Sequence, residues 1–388
     1  GGMRWLDTVT GWAARIAIQR AGWVLAAAVL LIAAAVPQIR HVVAETDLYQ
    51  FFDDEHPITR STERVEQTLS GVMPMEVVFD GPGFDSLKAP ERLKAMRRAQ
   101  RWLDDRPEVE YSLSLSDLVA EMHWAFQGGE DPSQRVIPQN PQLIAQYLFI
   151  YDGRDLYDLV DRDFIRARLM LTLDAHGARA INALLTDLRG YLRAEPPADL
   201  DWHIAGEARL FADQEQLLIR GQLHSLIAVS ALLTVLMLVM WRSIPLAAAS
   251  MVPNLAPIVL IFAVMGLLGI WLDMATAMIA SVAVGIAVDD TIHLLHGYLR
   301  RGKAGASTPF ALARTFRRTG RAITATTLVL SAQFLLLALS DFQPTSAFGL
   351  LTAFGLGTAL VFDLLILPAL LVLGARYASV RNGTGNIA

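Results

Sequence analysis

The chain has 388 residues, of which 53% are hydrophobic and 18% are charged, and its formal net charge is −5. This composition is too apolar for an ordinary soluble protein and too charged for membrane spans alone, so it indicates membrane helices combined with a water-facing domain. The negative charge gives no support for a nucleic-acid-binding protein. The absence of cysteine excludes disulfides and thiolate metal sites.

Two elements are predicted at the N-terminal end. We expect Gly1 and Gly2, ahead of Met3, to be a cloning remnant. Residues 1–20 carry apolar side chains at helical spacing from Trp5 onward, which predicts an amphipathic cytoplasmic helix that either lies in the membrane interface or simply leads into a span. The apolar run at 21–38 is just long enough to cross a bilayer. Its long lead and the lack of a small-residue cleavage pattern favour a retained span over a cleaved signal peptide.

Residues 39–221 are predicted to form a water-facing α+β domain. Charged residues are frequent here, and no stretch is long and apolar enough to cross a bilayer. The order of elements is β-α-β, a mostly helical insert at Ser116–Arg162, and β-α-β, which predicts a ferredoxin-like sandwich of the split βαβ kind. Alternating and amphipathic patterns place strands at Met75–Phe79, Val109–Leu115, Phe164–Leu173 and Trp202–Ala205, and helices at Pro90–Asp105 and Gly177–Arg193.

Five further apolar runs within residues 222–374 are predicted as membrane spans. Each is near or above the about 20 residues that a helix needs to cross a bilayer. With the first run and a tail at 375–388, they predict one span, a large domain and then five spans. The five runs are Leu223–Trp241, Ile244–Ile270, Leu272–Leu295, Ala322–Leu339 and Ser346–Val372.

The positions of lysine and arginine predict the orientation of these spans. The loop after the fourth span, from Arg300 to Arg321, is strongly basic, and the segments outside the first and sixth spans are basic as well. The loops near Asp273 and at 341–345 contain no basic residue. The positive-inside rule therefore places both termini and the basic loop in the cytoplasm, and residues 39–221 on the other side.

Two adjacent acids, Asp289 and Asp290, lie in the fourth predicted span. On insertion scales a carboxylate at the centre of a bilayer costs about 2.5–3.5 kcal/mol. We therefore expect a span that keeps two of them to use them, and the natural use is the transfer of protons. Carboxyl groups this close titrate as a coupled pair. The alternative is that both lie at the cytoplasmic interface and are simply solvated.

Other polar residues in the spans are candidate relay partners for the acid pair. His293 follows Asp289 by four residues on the same helix face, and it either relays a proton or marks the water boundary. Thr324 and Thr327 in the fifth span either contact the acids or bond back to their own helix. A lone acid in the sixth span, Asp363, needs a partner of its own, and a packing role is favoured over transport.

Sequence motifs for other chemistries are absent. The chain contains no G-x-x-x-x-G-K-[ST] nucleotide loop, no H-E-x-x-H, no G-x-S-x-G and no EF-hand loop. We therefore expect no enzyme activity, no metal site and no cofactor. Since the acid pair is expected to transfer protons, the expected energy source for any work the protein does is the proton gradient. An intramembrane aspartyl protease needs acids on two different helices, whereas the strong pair here is adjacent on one.

The stretch Gly285–Tyr298 resembles the fourth span of resistance–nodulation–division (RND) exporters. Its closest likeness is to the MMPL-like branch, which is linked to lipid and hopanoid export and in turn resembles sterol-sensing-domain proteins of the Patched and Niemann–Pick type. Their G-x-x-x-D-D pattern is filled here by Gly285, Asp289 and Asp290. The likeness covers nearly the whole chain and includes Thr46–Leu48, Phe51–Pro57 and Asp363–Pro368.

The resemblance implies a polytopic six-span protein of the inner membrane with a porter-type periplasmic domain at 39–221 that collects and passes substrate. It implies that Asp289 and Asp290 relay the protons that power export of a lipid, hopanoid or sterol. A non-pumping protein that binds or senses lipid or sterol is the alternative function.

Members of this family are usually two such units fused, with twelve spans. This chain resembles the second half, so we expect a fragment, a separately encoded half or a homodimer, and no transport by an isolated half. The expected partners are the second half or a second copy, membrane lipids and periplasmic carrier proteins, but no nucleic acid.

Overall fold

A computed structural model of the protein describes residues 4–47, 51–69, 73–151, 153–197 and 199–381. These residues form two compact units, one at Thr46–Leu217 and one from the described parts of Gly1–Glu45 and Leu218–Ala388. Three sequence expectations fall on positions outside the described residues: the cloning remnant at Gly1–Met3, Leu48 of the Thr46–Leu48 motif, and the tail beyond Arg381.

The Thr46–Leu217 unit is built around a four-stranded sheet. Its strands lie in the order β2-β3-β1-β4, and each neighbouring pair is antiparallel. All four predicted strands are confirmed, with ends shifted by at most two residues. The third strand starts late because Phe164 adopts a left-handed backbone conformation (φ 51°) that does not fit a strand. The strands are β1 (Met73–Asp80), β2 (Val109–Leu113), β3 (Arg166–Leu173) and β4 (Asp201–Ala205).

Two amphipathic helices pack into a common core with this sheet. α4 (Pro90–Asp104) connects β1 to β2, and α8 (Ala178–Ala194) connects β3 to β4, as predicted. Leu93 and Met96 of α4 and Leu185 of α8 are fully buried in the same cluster as the inward side chains of the sheet. Burial of one apolar stripe per helix explains why both segments carry a 3.6-residue pattern.

The insert after β2 is mostly helical, as predicted. Its first helix, α5 (Leu115–Phe126), begins in a capping box in which Ser114 and Asp117 satisfy each other's backbone N–H groups. α6 (Pro141–Ile150) and α7 (Arg154–Leu159) follow. The Gly/Pro-rich loop between α5 and α6 therefore separates two capped helices, since Asn140 caps the second. A further helix, α3, covers Pro57–Leu69 ahead of β1.

Six helical segments of the described residues are long and apolar enough to cross a bilayer, and all of them belong to the second unit except the first turns of the segment that begins at Glu207. The prediction of a polytopic helical membrane protein with six spans is thereby confirmed. Two of the six start well before the predicted apolar run, because polar turns extend the helices beyond the hydrocarbon-length core. The spans are Ala21–His41, Glu207–Trp241, Ile244–Leu268, Thr276–Lys303, Thr308–Leu337 and Gln343–Tyr377.

These spans are built from α2 and α9–α15 and differ in burial. The first two expose nearly all of their apolar side chains, whereas half or more of the third, fourth and sixth is buried within the unit. Exposed apolar side chains are what a lipid-facing helix requires. The helices are α2 (Ala21–Ala35), α9 (Glu207–Trp241), α10 (Ile244–Leu268), α11 (Thr276–Lys303), α12 (Thr308–Thr315), α13 (Arg321–Leu337), α14 (Gln343–Val361) and α15 (Leu367–Arg381).

The lead segment forms helix α1 (Arg4–Gln19) and presents two different faces. Ala13 and Ala17 are buried against the bundle, whereas Trp5, Val9 and Trp12 are exposed. An exposed pair of tryptophans on a helix that precedes a span is typical of the membrane interface, where amphipathic rings are favoured.

Candidate functional site

The two acids of the G-x-x-x-D-D motif lie near the middle of α11 and point in different directions. Adjacent residues of an α-helix are about 100° apart, because there are 3.6 residues per turn. The side chain of Asp289 is 74% exposed, whereas Asp290 is partly buried between helices. The two carboxyl groups therefore have different partners.

Asp290 connects the fourth span to the fifth. Its Oδ2 accepts a hydrogen bond of 3.3 Å from Thr327 Oγ1, and Thr327 is buried. A carboxylate that accepts from a hydroxyl on a neighbouring helix couples its charge state to the packing of the two helices. Of the two threonines predicted as partners, Thr327 is therefore the one that contacts the acid pair.

The other threonine, Thr324, bonds back to its own segment. Its Oγ1 donates to the backbone oxygen of Gly320 over 2.8 Å. Gly320 ends a single π-turn, Phe316–Gly320, in which Arg321 N–H bonds to the oxygen of Phe316 five residues back. A π-turn replaces the regular backbone hydrogen bonds from residue i to residue i−4 by bonds to residue i−5. The hydroxyl of Thr324 therefore supplies an additional donor to a backbone oxygen where the helix is irregular.

The outward face of α11 is polar. His293 Nε2 lies 3.4 Å from Asp289 Oδ1, and both side chains are mostly exposed. Gly285, one turn before Asp289, has no atom of a neighbouring residue within 4 Å of the position a Cβ would take. The three residues form an open stripe on the surface of a span, and a carboxylate and an imidazole there require water or another protein surface.

A third acid, Asp363 of the sixth span, is fully buried in the bundle. Its Oδ1 accepts a 2.8 Å hydrogen bond from Thr291 Oγ1, which lies 3.5 Å from Asn254 Oδ1 of the third span. Its Oδ2 has no hydrogen-bond partner among the described residues. Because Thr291 directly follows Asp290, one turn of α11 holds both the half-buried acid and the donor to the buried acid.

The backbone around Asp363 is also irregular. Residues Phe362–Ile366 form a second π-turn, in which Leu367 N–H bonds to the backbone oxygen of Phe362 instead of that of Asp363, which a regular α-helix would use. Pro368 follows and has no N–H to donate. π-turns inside helices occur frequently at functional positions, and here one places a buried carboxyl against the donor on α11.

Sequence reasoning did not identify Thr291 and Asn254 as members of this cluster. Both are buried polar residues within apolar spans, and that contrast is the signal that could have found them. Among the described residues, no group of three or more histidine, aspartate and glutamate side chains is placed to hold a metal ion.

Comparison with known proteins places this architecture in a family. The sequence matches the MMPL family over residues 50–386. Membrane protein MJ1562 of Methanocaldococcus jannaschii is 35% identical over 127 residues, which are 33% of this chain and 33% of that protein. Membrane protein ActII-3 of Streptomyces coelicolor is 27% identical over 233 residues, which are 58% of this chain and 33% of that protein.

The matched regions thus span about a third of the length of each of these relatives. The family match, in contrast, takes in most of this chain, including the domain around the sheet and all spans from the second to the sixth. The resemblance that Gly285, Asp289 and Asp290 indicated is confirmed: this chain belongs to the MMPL family.

Proposed function

We propose that this chain is one unit of a proton-coupled exporter of hydrophobic or amphipathic lipids, in which Asp289 and Asp290 carry the protons. The observation that supports it most is the hydrogen bond between Asp290 and Thr327, because it ties a titratable group in one span to the packing of the next. Membership of a transporter family supports the same role.

The proton step follows from the chemistry of this bond. An ionised Asp290 accepts a charge-assisted hydrogen bond from Thr327, which is stronger than the bond to a neutral carboxyl. Protonation weakens the link between α11 and α13 and changes the balance between two packings of these helices. A ligand or proton shifts such an equilibrium only by its different affinity for the two states, and the charge on Asp290 supplies that difference.

His293, Thr327 and Asp363 take different parts in this proposal. His293 holds the outer carboxyl, Asp289, through the 3.4 Å contact of its Nε2 with Oδ1. Thr327 belongs to the fifth span, so a change in the charge of Asp290 changes the strength of a hydrogen bond to that span. Asp363 fixes the fourth span to the sixth through Thr291, which makes it a packing residue rather than a carrier.

A second unit covers the open stripe of α11. The relatives are about three times as long as the regions they share with this chain, and Gly285, Asp289 and His293 present polar surface with no covering side chain in the described part of the unit. The second unit is a separate half or another copy of this chain, and an isolated unit does not transport. Membrane lipids and periplasmic carrier proteins are the further partners.

The proposed orientation places both termini in the cytoplasm of a bacterial inner membrane and the domain around the sheet in the periplasm. The support is the basic loop between the fourth and fifth spans, in which Arg300, Arg301 and Lys303 end α11. The sheet order β2-β3-β1-β4 with α4 and α8 as connections supports a ferredoxin-like, porter-type domain that passes lipid, hopanoid or sterol cargo.

A protein that binds or senses lipid without pumping is the second candidate, because the same bundle and domain serve either purpose. Dependence on the proton gradient separates the two. In cells that carry the chromosomal Asp290→Asn substitution, we expect export of a fluorescent lipid to stop while the amount of protein in the membrane is unchanged. Equal lipid binding with and without an uncoupler, together with no export by wild type beyond that of cells that lack the chain, identifies a sensor; undiminished export by the variant contradicts the proton relay.

A further inference from the structure

We infer that the Thr46–Leu217 unit contains a binding site for a phosphate group, in a basic cleft between α4 and the segment at 135–143. The cleft has a volume of about 650 Å³. This site goes beyond the proposed function and does not rest on it, because no titrating group of the spans takes part.

One wall of the cleft is a basic face of α4. Lys94, Arg97 and Arg101 follow one another at spacings of three and four residues, so their side chains share one side of the helix. The segment at 135–143 adds Arg135 to the lining of the cleft, and α5 adds His123. Among the described residues that line the cleft there is no aspartate or glutamate.

The charges of the cleft are only partly compensated. Lys94 Nζ lies 3.1 Å from Glu91, and an oxygen of Glu121 lies 2.5 Å from Arg135. Arg97 and Arg101 form no ion pair with an acid among the described residues. Two positive charges thus remain unmatched on adjacent turns of one helix, where they repel each other unless an anion lies between them.

Arg97 also leaves a hydrogen-bond donor without an acceptor. Its Nη1 is shielded from solvent and has no partner among the described residues. Buried polar groups are nearly always paired, and an unpaired donor on a charged group is especially unfavourable. An acceptor brought by a ligand satisfies this donor.

The donor set favours phosphate over a simple carboxylate. A phosphate monoester carries a charge of about −1.5 to −2 at neutral pH and three acceptor oxygens, which matches two unpaired guanidinium groups. Arginine presents a planar fork of donors that suits such oxygens. His123 Nδ1 is already engaged with the hydroxyl of Tyr147 at 3.0 Å, so its other ring nitrogen is the one left for the cleft.

The cleft is larger than one phosphate group and has an apolar side. Ile137, Pro138 and Leu143 line it beside the basic residues. The phosphate group has two sources, the head of a phospholipid and free inorganic phosphate, and of these two the phospholipid also brings carbon atoms to the apolar side. The shared chemistry is the phosphate, and the source is settled by comparing the two ligands.

The test uses the full chain in a non-ionic detergent and isothermal titration calorimetry with two probes, dihexanoyl phosphatidic acid and inorganic phosphate. We expect the double variant Arg97→Gln/Arg101→Gln to bind at least tenfold more weakly than wild type, and raised salt to weaken the wild-type affinity. Arg98→Gln is the matched control, because Arg98 is exposed on the same helix and does not line the cleft.

The double variant also provides its own folding control. Since neither Arg97 nor Arg101 has an acid partner among the described residues, replacing both should leave the melting temperature of the chain unchanged or raise it. Binding of the lipid alone identifies a headgroup site, and equal binding of inorganic phosphate identifies a site for the free anion. Absence of binding by wild type, or equal binding by the double variant, overturns the inference.

Discussion

Thr327 of the fifth span donates its hydroxyl hydrogen to Asp290 of the fourth span over 3.3 Å, and it is the link between the acid motif and a neighbouring helix. Asp289, one residue earlier, faces outward with His293. The two carboxyl groups of the motif therefore have separate surroundings, one inside the unit and one on its surface.

We predict that Thr327→Val lowers lipid export roughly two- to tenfold, because the bond is long at 3.3 Å and an ordinary hydrogen bond contributes about 0.5–1.5 kcal/mol. Valine keeps the shape of threonine and removes only the donor. Thr324→Val is the matched control: that hydroxyl bonds to Gly320 of its own helix, so export should change less than twofold. Export is measured in cells per amount of membrane-inserted protein. Equal loss in both variants would show that any buried threonine of this span matters.

We predict that Asp363→Asn preserves both folding and export, whereas Asp363→Ala lowers the stability of the unit by about 1–3 kcal/mol. Asparagine keeps an oxygen that accepts from Thr291, and alanine leaves that buried hydroxyl without its partner. Thermal unfolding in detergent, followed by size-exclusion chromatography, reports the stability. Full stability of Asp363→Asn combined with lost export would contradict the packing role and assign proton transfer to Asp363.

We predict that Gly285→Leu leaves the unit folded but prevents its association with a second unit. A side chain at this position meets nothing within the described part of the unit, and the bulk of leucine keeps another helix away. Gly349→Ala provides the contrast, since its Cβ would lie 2.5 Å from the backbone oxygen of Phe334 and should lower the melting temperature. Cross-linking in native membranes, beside a melting curve, distinguishes the two effects. Unchanged cross-linking of Gly285→Leu argues against a partner on this face.

We predict that one ion pair in the domain around the sheet makes a pH-dependent contribution to the stability of the fold. Arg92 donates to both oxygens of Asp199, at 2.8 and 2.6 Å, and this hydrogen bonding lowers the pKa of the Asp199 carboxyl. A lowered folded-state pKa stabilises the fold above the ordinary value of about 3.9, and the effect disappears as the pH falls through the lowered value. Asp199→Asn should therefore melt below wild type at pH 7 and together with it near pH 2.

The control for this pH series is Asp187→Asn, because Asp187 is an exposed acid on α8. Its melting temperature should follow wild type at every pH. A constant difference between Asp199→Asn and wild type from pH 7 to pH 2 would exclude the ion pair as the cause.

The spans and strands could be predicted from sequence because each depends on a repeating property of neighbouring residues. Run length identifies a helix that crosses a bilayer, and alternation identifies β3, in which Ala167, Leu169 and Leu171 are buried. The left-handed residue Phe164 breaks no such pattern, so the late start of β3 was visible only in the structure.

The partners of the acids depend on contacts between distant parts of the chain. Thr291 and Asp363 are 72 positions apart, and a single-sequence pattern does not record which faces of two helices meet. The sequence predicts Thr324 and Thr327 equally as partners of the acid pair. Which of the two contacts an acid depends on the rotation of the fifth span about its axis, and that rotation is visible only in the structure. The basic face of α4 was likewise present in the sequence, but the wall that makes it a cleft comes from the segment at 135–143.

Proton flux that accompanies lipid transfer tests the central proposal most directly. The protein is purified from its native membrane with the second unit that accompanies it, and is reconstituted with a pH-sensitive dye and a fluorescent lipid. We predict that wild type couples the two fluxes and that Asp289→Asn and Asp290→Asn lose both while still binding the lipid. Unchanged proton flux and lipid transfer in both variants would contradict a relay through these acids.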